Sequence, residues 1–269
     1  MDAGDDDGLG IECVESGQGP ALIFLPGSYS TPAAWRPVQR LLGPGWRMLT
    51  TSLCGYGQTL ETRTAQDSGM HHELRLVQHL ARRAAQPVHL VGHSFGGTVA
   101  LAAALLGTIE VASLTLFEAN PLDILRASGG QTLYSETLRM SQDFEHAVAA
   151  GETDAPARII DFWGGSGVFA AMPEAVRAYC RATAATNVLD WHCDFGFSVS
   201  AADCSRLDTP ILLVRVALAN AAMVGITDAL GANLPNVKRA EVAEAGHFLI
   251  TSHAKACADL MSSFLAGKN

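Results

Sequence analysis

The sequence predicts an α/β fold, with a mostly parallel central sheet, helices on both faces and one inserted helical segment. The first observation is that short apolar runs typical of buried strands alternate with helical segments along the 269 residues, which is the pattern of a parallel sheet covered on both faces. The second is that hydrophobic residues make up 48% of the chain, which is enough for one large core. The third is that residues 122–205 break the alternation, because they contain no clear strand.

The predicted strands differ in how much of their surface is buried. Residues 11–15 alternate between apolar and polar side chains, as a half-exposed strand does, and a glycine-rich turn follows at residues 16–20. The later strands are nearly continuous apolar runs, which indicates burial on both faces of the sheet. We predict these strands at residues 21–25, 47–51, 87–91, 111–117, 211–216 and 237–242.

Helices are predicted between these strands. Thr31 and Pro32 suit the N-cap and the first position of a helix over residues 32–42, because the hydroxyl caps a free N–H and proline fixes a helical φ. Residues 70–85 have the apolar stripe of an amphipathic helix that packs on a core. Further helices are predicted at residues 97–106, 222–234 and 253–265.

Charge and composition exclude several classes of partner. The formal net charge is −9, which argues against nucleic acids and anionic membranes, because both bind basic patches. Glycine, proline or a charge interrupts every apolar run before it is long enough to span a bilayer. Residues 1–10 are acidic and lack the basic start and apolar stretch of a secretory signal. We therefore expect a flexible, solvated tail and a cytoplasmic protein.

The six cysteines are scattered, and no two of them form a C-x-x-C pair. This spacing predicts neither a metal site nor a redox dithiol. Reduced thiols fit a cytoplasmic protein. A disulfide between Cys180 and either Cys193 or Cys204 stays open for an oxidising compartment.

The pentapeptide Gly-His-Ser-Phe-Gly at residues 92–96 is the most informative motif of the chain. It lies between an apolar strand and a helix, which is the setting of a nucleophile elbow. There a serine sits at the tip of a strained turn, and the residues two positions away must be small because strand and helix would otherwise collide. We predict that Ser94 is a nucleophile. The alternative is a glycine-rich turn that only packs the helix on the sheet.

A nucleophilic serine needs a base, and histidine suits that task because its pKa lies near working pH. His247 follows the last predicted strand, on a loop at the sheet edge where Ser94 should lie, and Gly246 lets that loop turn the ring inward. We predict that His247 is the base, with a surface loop histidine as the alternative. His89 is expected in the core, and His93 is expected to point away from Ser94.

These motifs resemble those of the α/β-hydrolase superfamily, in particular its esterase, lipase and haloperoxidase-like branch with a helical cap. The resemblance rests on residues 92–96, on Gly-His-Phe at residues 246–248 and on Leu-Pro-Gly-Ser at residues 25–28. It implies an α/β-hydrolase fold whose core comprises residues 11–121 and 206–269. It also implies that residues 122–205 form a helical cap or lid.

The resemblance further implies an oxyanion hole, in which two backbone N–H groups stabilise the negative charge of an attacked carbonyl. In this chain the donors would be Phe95 and Ser28, or Tyr29 next to it.

Two departures from the family pattern concern loops near this site. Pro26 stands where the family often has histidine, but Gly27 still permits the turn. Ser52 replaces an aspartate at the start of a glycine-rich loop, which we expect to be structural, with Tyr56 as a wall of the pocket.

The acid of a Ser-His-acid triad is missing from its customary place. The family usually carries an aspartate after the strand at residues 211–216, where this chain has Asn220 and no carboxylate. Some relatives carry the acid after the preceding strand, and Glu118 ends that strand here. A carboxylate there is costly unless it is paired or functional, so we predict Glu118 as the acid. The alternatives are a Glu118 that pins the cap, an acid at Asp190 or Asp194, and a dyad oriented by Asn220.

Residues 122–205 are rich in aromatic side chains, which suits an apolar lid above a ligand site at the carboxyl edge of the sheet. Trp163 and Trp191 are candidate pocket residues in this segment, and Tyr29 is a further candidate pocket residue in the core. The alternative is an extra helical layer without contact to a ligand.

Together these features predict a serine hydrolase that cleaves a small-molecule carboxylic ester through an acyl-enzyme, without a metal or cofactor. The serine excludes relatives such as epoxide hydrolases and haloalkane dehalogenases, which use aspartate at that position. A lactone, thioester or carbon–carbon bond hydrolase, a lyase and a slow small-molecule-binding protein are the alternatives. A homodimer is one option for the oligomeric state.

Overall fold

A seven-stranded sheet forms the centre of the protein, in the strand order β1-β3-β2-β4-β5-β6-β7. Strand β1 pairs antiparallel with β3, and every other pairing is parallel. The computed structural model describes residues 10–85 and 87–267, so residues 1–9 of the predicted acidic tail lie outside it. The strands are β1 Val14–Ser16, β2 Ala21–Leu25, β3 Arg47–Thr50, β4 Val88–His93, β5 Val111–Phe117, β6 Ile211–Val216 and β7 Val237–Val242.

Helices connect the strands and cover the sheet. A 3₁₀ turn at Pro32–Trp35 precedes the first of them. In chain order the helices are α1 Arg36–Leu42, α2 His71–Ala84, α3 Phe95–Leu105, α4 Asp123–Ala127, α5 Gln131–Ala149, α6 Ala157–Gly164, α7 Val168–Ala171, α8 Glu174–Ala182, α9 Ala184–Gly196, α10 Ala201–Ser205, α11 Ala221–Asn233, α12 Leu249–Ser252 and α13 Ala254–Leu265.

One predicted helix is divided in the structure, and another is preceded by an additional short helix. The predicted helix over residues 32–42 begins as the 3₁₀ turn, with the Thr31 hydroxyl accepting the N–H of Ala33 at 3.4 Å. Pro37 has no N–H to continue that turn as an α-helix, so α1 starts anew at Arg36. The predicted helix over residues 253–265 corresponds to α13, and His253 separates it from the short helix α12 before it.

The sheet separates two hydrophobic layers because side chains alternate along each strand. In β2, Leu22 and Phe24 point to the layer that contains Trp35 and Met261. The intervening side chains point to the opposite layer, which contains residues of α2, α3 and α11. Burial on both faces explains why β2 and most of β6 are apolar runs without alternation, and every residue of β4 is likewise buried.

Residues 122–205, the helical insertion, connect β5 to β6 through helices α4 to α10 and contain no strand. The insertion packs on the core through α4 and α5, which contact α11, and through α9, which contacts α3. Within the described ranges, no helix is both long enough and apolar enough to cross a membrane.

Candidate active site

Ser94 occupies a sharp turn between β4 and α3. Its φ is +53° and its ψ is −128°, a strained conformation for a residue with a side chain. A Cβ on Gly92 would lie 2.4 Å from the carbonyl oxygen of Gly96, and one on Gly96 would lie 2.3 Å from the carbonyl oxygen of Pro26. Glycine is therefore required at both positions, as the pentapeptide indicates.

Three side chains form a hydrogen-bonded line at the carboxyl edge of the sheet. The Nε2 of His247 is 3.0 Å from Ser94 Oγ, and its Nδ1 is 3.2 Å from Glu118 Oε2. A carboxylate only accepts, so Nδ1 carries the hydrogen and Nε2 accepts the proton of the serine hydroxyl. All three residues are more than 90% buried. The structure thus brings together the three residues that the sequence singled out.

Glu118 is held by the backbone of the next strand. It follows β5 with a φ of +49°, and its N–H donates to the carbonyl of Val214 at 2.9 Å. Its Oε1 accepts the N–H of Val216 at 2.9 Å, which leaves Oε2 for His247. Tyr29, Ser94 and Glu118 all have a positive φ. Tyr29 and Ser94 line the pocket, and Glu118 is hydrogen-bonded to His247. Such strain persists only where the surroundings enforce it, and it concentrates at functional sites.

His93 supports the loop that carries His247. Its Nε2 donates to the backbone carbonyl of His247 at 2.8 Å, and the two ring centroids are 5.1 Å apart. Burial and the neighbouring His247 lower the pKa of His93 to about 3, so the ring stays neutral at physiological pH. The sequence did not reveal this contact, because adjacency to Ser94 says nothing about a loop that lies 154 residues away.

The candidate pocket opens above Ser94, between the sheet edge and the helical insertion. It encloses about 540 Å³ including its open mouth. From the core, Ser28, Tyr29 and Phe95 line it, as the sequence predicts for the oxyanion region. Phe95 is the first residue of α3, so its N–H has no intrahelical partner. From the insertion, the lining side chains are Ile159, Ile160, Trp163, Asn187, Asp190, Trp191 and Asp194.

The two predicted tryptophans form an aromatic wall. The rings of Trp163 and Trp191 stack with centroids 6.2 Å apart, and Phe195 extends the stack behind Trp191. Trp163 also lies over the His247 ring, at 5.5 Å and an angle of 22°. The insertion therefore covers the histidine as well as the pocket.

Asp190 joins the insertion to the core through a buried polar network. Its Oδ2 accepts the hydroxyls of Ser28 at 2.5 Å and Tyr56 at 2.7 Å, and an amide N–H of Asn187 at 3.1 Å. Its Oδ1 accepts Nη1 of Arg63 at 2.7 Å. Asp190 bonds to these four groups and not to His247. The structure therefore gives no support to its alternative role as the acid.

Arg63 is the cationic centre of this network. Its side chain has no exposed surface, and Glu61, Glu73 and Asp190 surround it. Burial alone would lower its pKa, but Asp190 and the two glutamates raise it above the usual value. Burial raises the pKa of Glu73 to about 7. The sequence prediction missed Arg63 altogether.

Asp194 is a second buried carboxyl group of the pocket lining. Its Oδ1 accepts the N–H of Leu122 at 3.3 Å, and the residue is 2% exposed. Burial raises its pKa well above the usual value, although the Leu122 hydrogen bond opposes the shift. Burial therefore favours the neutral form of this carboxyl group in the pocket lining.

Two further predictions concern residues that the structure places elsewhere. Tyr56 is fully buried and does not line the pocket. Its hydroxyl donates to Asp190, and its ring packs edge-on against Tyr29. Asn220 caps α11 by accepting the N–H of Met223 and donates to the carbonyl of Phe162, so it does not orient His247.

The cysteines and the metal-ligating side chains lie outside this chemistry. All six thiols are free, so neither proposed disulfide is present in the structure. Within the described part of the chain, one group of three metal-ligating side chains is within mutual reach, and none of its members lines the pocket: Asp67, His71 and His72.

Comparisons with known proteins give related sequences. The sequence profile of the Alpha/beta hydrolase family matches residues 22–260. The chain is 30% identical over 136 residues to the pimeloyl-[acyl-carrier protein] methyl ester esterase of Vibrio vulnificus (strain YJ016), covering 49% of this chain and 51% of that relative. It is 28% identical over 134 residues to an epoxide hydrolase of Caballeronia sordidicola, covering 46% of this chain and 41% of that relative. The matches thus span about half the length of these curated relatives or less.

A solved structure is similar over nearly the whole chain. MenH from S. aureus superposes with a TM-score of 0.75, covering 95% of this chain and 98% of that chain at 14% identity. At this identity the likeness is one of fold.

Proposed function

The chain belongs to the alpha/beta hydrolase family and has its fold, and from this premise we propose that it is a serine hydrolase acting on carboxylic esters. The observation that carries the proposal is the buried line of hydrogen bonds from Ser94 Oγ through His247 to Glu118. In this proposal they act as nucleophile, base and acid.

The first half of the reaction forms an acyl-enzyme. His247 Nε2 takes the proton of Ser94 as its Oγ attacks the ester carbonyl, and Glu118 stabilises the imidazolium that results. The N–H groups of Phe95 and Ser28 would donate hydrogen bonds to the negatively charged carbonyl oxygen. Each such donor stabilises the transition state by about 3 kcal/mol. His247 then passes its proton to the leaving alcohol, and the carbonyl re-forms.

The second half releases the acid. His247 removes a proton from water as the water oxygen attacks the acyl carbon, and it returns a proton to Ser94 Oγ when the ester bond to the serine breaks. Every proton in this cycle moves through one imidazole, so no metal or cofactor has to supply a step.

The nucleophile separates this proposal from the epoxide hydrolase similarity. An aspartate nucleophile forms an alkyl ester with the enzyme, whereas Ser94 forms an acyl ester with a carbonyl substrate. The matched methyl ester esterase fits serine chemistry, and we take from it only the bond type. The stacked tryptophans favour an apolar group beside the ester carbonyl.

The alternative of a slow binding protein rested on the missing acid after β6. The contact between Glu118 and His247 supplies a carboxylate from β5 and supports the enzyme instead. Lactone, thioester and carbon–carbon bond cleavage use the same machinery, so they remain substrate alternatives within one mechanism.

A short-chain p-nitrophenyl ester assay tests the proposal. We expect a burst of p-nitrophenol followed by steady turnover, because acylation and deacylation are separate steps. Ser94→Ala and His247→Ala should each lower kcat by about 10⁶-fold, the scale seen when such a unit loses its nucleophile or base. Ser135→Ala, an exposed serine of α5, is the matched control and should retain the wild-type rate.

Three outcomes would contradict the proposal. Full activity in Ser94→Ala would show that Ser94 is not the nucleophile. A burst without turnover would favour the binding protein or an acyl transfer to another acceptor. Cyanohydrin cleavage without ester turnover would favour a lyase.

A further inference from the structure

Two consecutive histidines at the start of α2 face one aspartate of the preceding loop. His71 Nε2 is 3.6 Å from Asp67 Oδ1, and His72 Nε2 is 3.3 Å from Asp67 Oδ2. The three potential ligand atoms all lie within 4.8 Å of one another. The two imidazole centroids are 4.1 Å apart, so the rings lie side by side and present the same nitrogen to the carboxylate.

The backbone fixes this arrangement independently of the side chains. Thr64 and Asp67 exchange two backbone hydrogen bonds of 2.9 and 3.1 Å, which close a tight turn. The N–H of His72 donates to the carbonyl of Gly69 at 3.2 Å. A Cβ on Gly69 would lie 2.9 Å from Nδ1 of His71, so glycine makes room for that ring. The cluster is therefore held by the turn that leads into α2.

His72 has a polar atom that the protein does not satisfy. The residue is 93% buried, with a relative exposure of 7%, and its Nε2 makes no hydrogen bond. Its Nδ1 is 2.8 Å from the hydroxyl of Thr62. When Nδ1–H donates to Thr62, the Nε2 lone pair faces an oxygen lone pair of Asp67. Two acceptors at this separation need a cation between them.

A metal ion would give a partner to more side chains of this cluster than a proton would. A proton on His72 would join that ring alone to Asp67, whereas an ion would also use His71. A ligating histidine whose other ring nitrogen is held by a hydrogen bond is the usual arrangement at metal sites, and Thr62 provides that bond.

We propose that Asp67, His71 and His72 bind one divalent transition-metal ion, with Zn²⁺ as the best match. Two imidazoles and one carboxylate suit zinc, and a water molecule would complete a tetrahedron. Magnesium and calcium prefer oxygen ligands throughout and do not suit this set. The side chains of Asp67 and His71 are 61% and 60% exposed, so an ion can enter from solvent.

The position of the site suggests a structural role. The ion would tie the loop after β3 to the first turn of α2, where the helix dipole opposes a cation and moderates its affinity. The same loop carries Tyr56 and Arg63, which hold Asp190 against the core. Metal binding would therefore stabilise the loop beneath the pocket without contacting Ser94.

Zinc titration of the protein without an affinity tag tests the proposal. Isothermal calorimetry with ZnCl₂ should show one equivalent bound, and the melting temperature should rise with Zn²⁺ but not with Mg²⁺. His71→Ala and Asp67→Asn change exposed side chains and should each weaken binding at least tenfold. Thr62→Val removes only the outer hydrogen bond and should weaken binding about tenfold, the usual scale for such partners.

His146→Ala is the matched control, because His146 is an exposed helical histidine outside the cluster, and it should bind Zn²⁺ as the wild type does. The proposal is overturned if the wild type takes up no Zn²⁺. It is also overturned if His71→Ala and Asp67→Asn bind it with wild-type affinity, because the ion would then lie elsewhere.

Discussion

Two buried carboxylates lie on opposite sides of the candidate site, one on the sheet edge and one in the helical insertion. Glu118 has an amide N–H and the imidazole of His247 as partners. Asp190 has the guanidinium of Arg63 and three neutral donors. The charge of Asp190 is thus already matched by a permanent cation, whereas that of Glu118 is matched only when His247 gains a proton.

Because of this difference, we expect Glu118 to act in the reaction and Asp190 to support the structure. A carboxylate paired with arginine cannot respond to a proton transfer, because its partner never loses its charge. A carboxylate beside a neutral imidazole stabilises the imidazolium when it forms. We therefore expect the sheet edge to determine the rate, and the Asp190 network to determine stability and the placement of Ser28.

The largest effect should come from Glu118→Gln. The amide keeps the shape but cannot stabilise the imidazolium, and it permits the wrong tautomer of His247. The comparable change in a serine protease costs about 10⁴ in rate, so we expect a loss of kcat of at least about a hundredfold, with the fold intact. Steady-state ester hydrolysis and circular dichroism are the measurements.

Asn220→Ala is the matched control on the loop after β6. It removes the cap of α11, which costs about 1 kcal/mol of stability, but should leave kcat nearly unchanged. A near-wild-type rate in Glu118→Gln, or a large loss in Asn220→Ala, would reverse the assignment of the acid.

The second effect concerns the insertion. Asp190→Asn breaks a buried ion pair, and removing one partner of such a pair typically costs 3–5 kcal/mol. Because Glu61 and Glu73 still face Arg63, we expect about 3 kcal/mol, at the lower end of that range. Urea denaturation measures the loss, and kcat should fall less than in Glu118→Gln.

Asp143→Asn, an exposed residue of α5, is the control for this change and should leave the urea midpoint unchanged. If Asp190→Asn retained wild-type stability but lost its activity, the expectation that Asp190 mainly stabilises the structure would be wrong.

The smallest effect is a pH dependence. Burial raises the pKa of Asp194 above its usual 3.8, so between pH 3.8 and the raised value the folded protein binds one proton more than the unfolded chain. The stability that this provides is complete below pH 3.8 and is lost as pH rises through the raised pKa. Asp194→Asn mimics the protonated form, so its melting temperature should fall less than that of the wild type as the pH rises through the raised pKa.

Melting curves at several pH values test this expectation, with the exposed carboxyl variant Asp208→Asn as the control. Wild-type and Asp194→Asn curves that stay parallel across the pH range would contradict it.

The sequence predicted the sheet edge much better than the insertion, for a physical reason. In a parallel sheet, strand order and strand ends place Ser94, Glu118 and His247 at one edge, and apolar runs reveal the strands. Strands β2, β5, β6 and β7 have the predicted bounds. The family profile and the solved relative confirm the predicted fold.

The network around Asp190 could not be predicted in the same way. It joins Ser28, Tyr56 and Arg63 to a helix more than 120 residues later, and each contact depends on how α9 is rotated. Helical periodicity identifies a buried face but not the loop that it meets. Asp190 was considered only as an acid for His247, and Tyr56 only as a pocket wall.

The placement of Glu118 on β5 also changes what the loop after β6 has to do. Residues 217–219 carry no member of the hydrogen-bonded line, and Leu218 is 68% exposed. Loops without such a duty tolerate changes of length and sequence far better than the elements they connect. In this protein the exposed side chain of Leu218 is therefore free to vary in evolution and offers a place for a fluorescent label, whereas its N–H donates to the carbonyl of Ala245 and keeps the backbone in place.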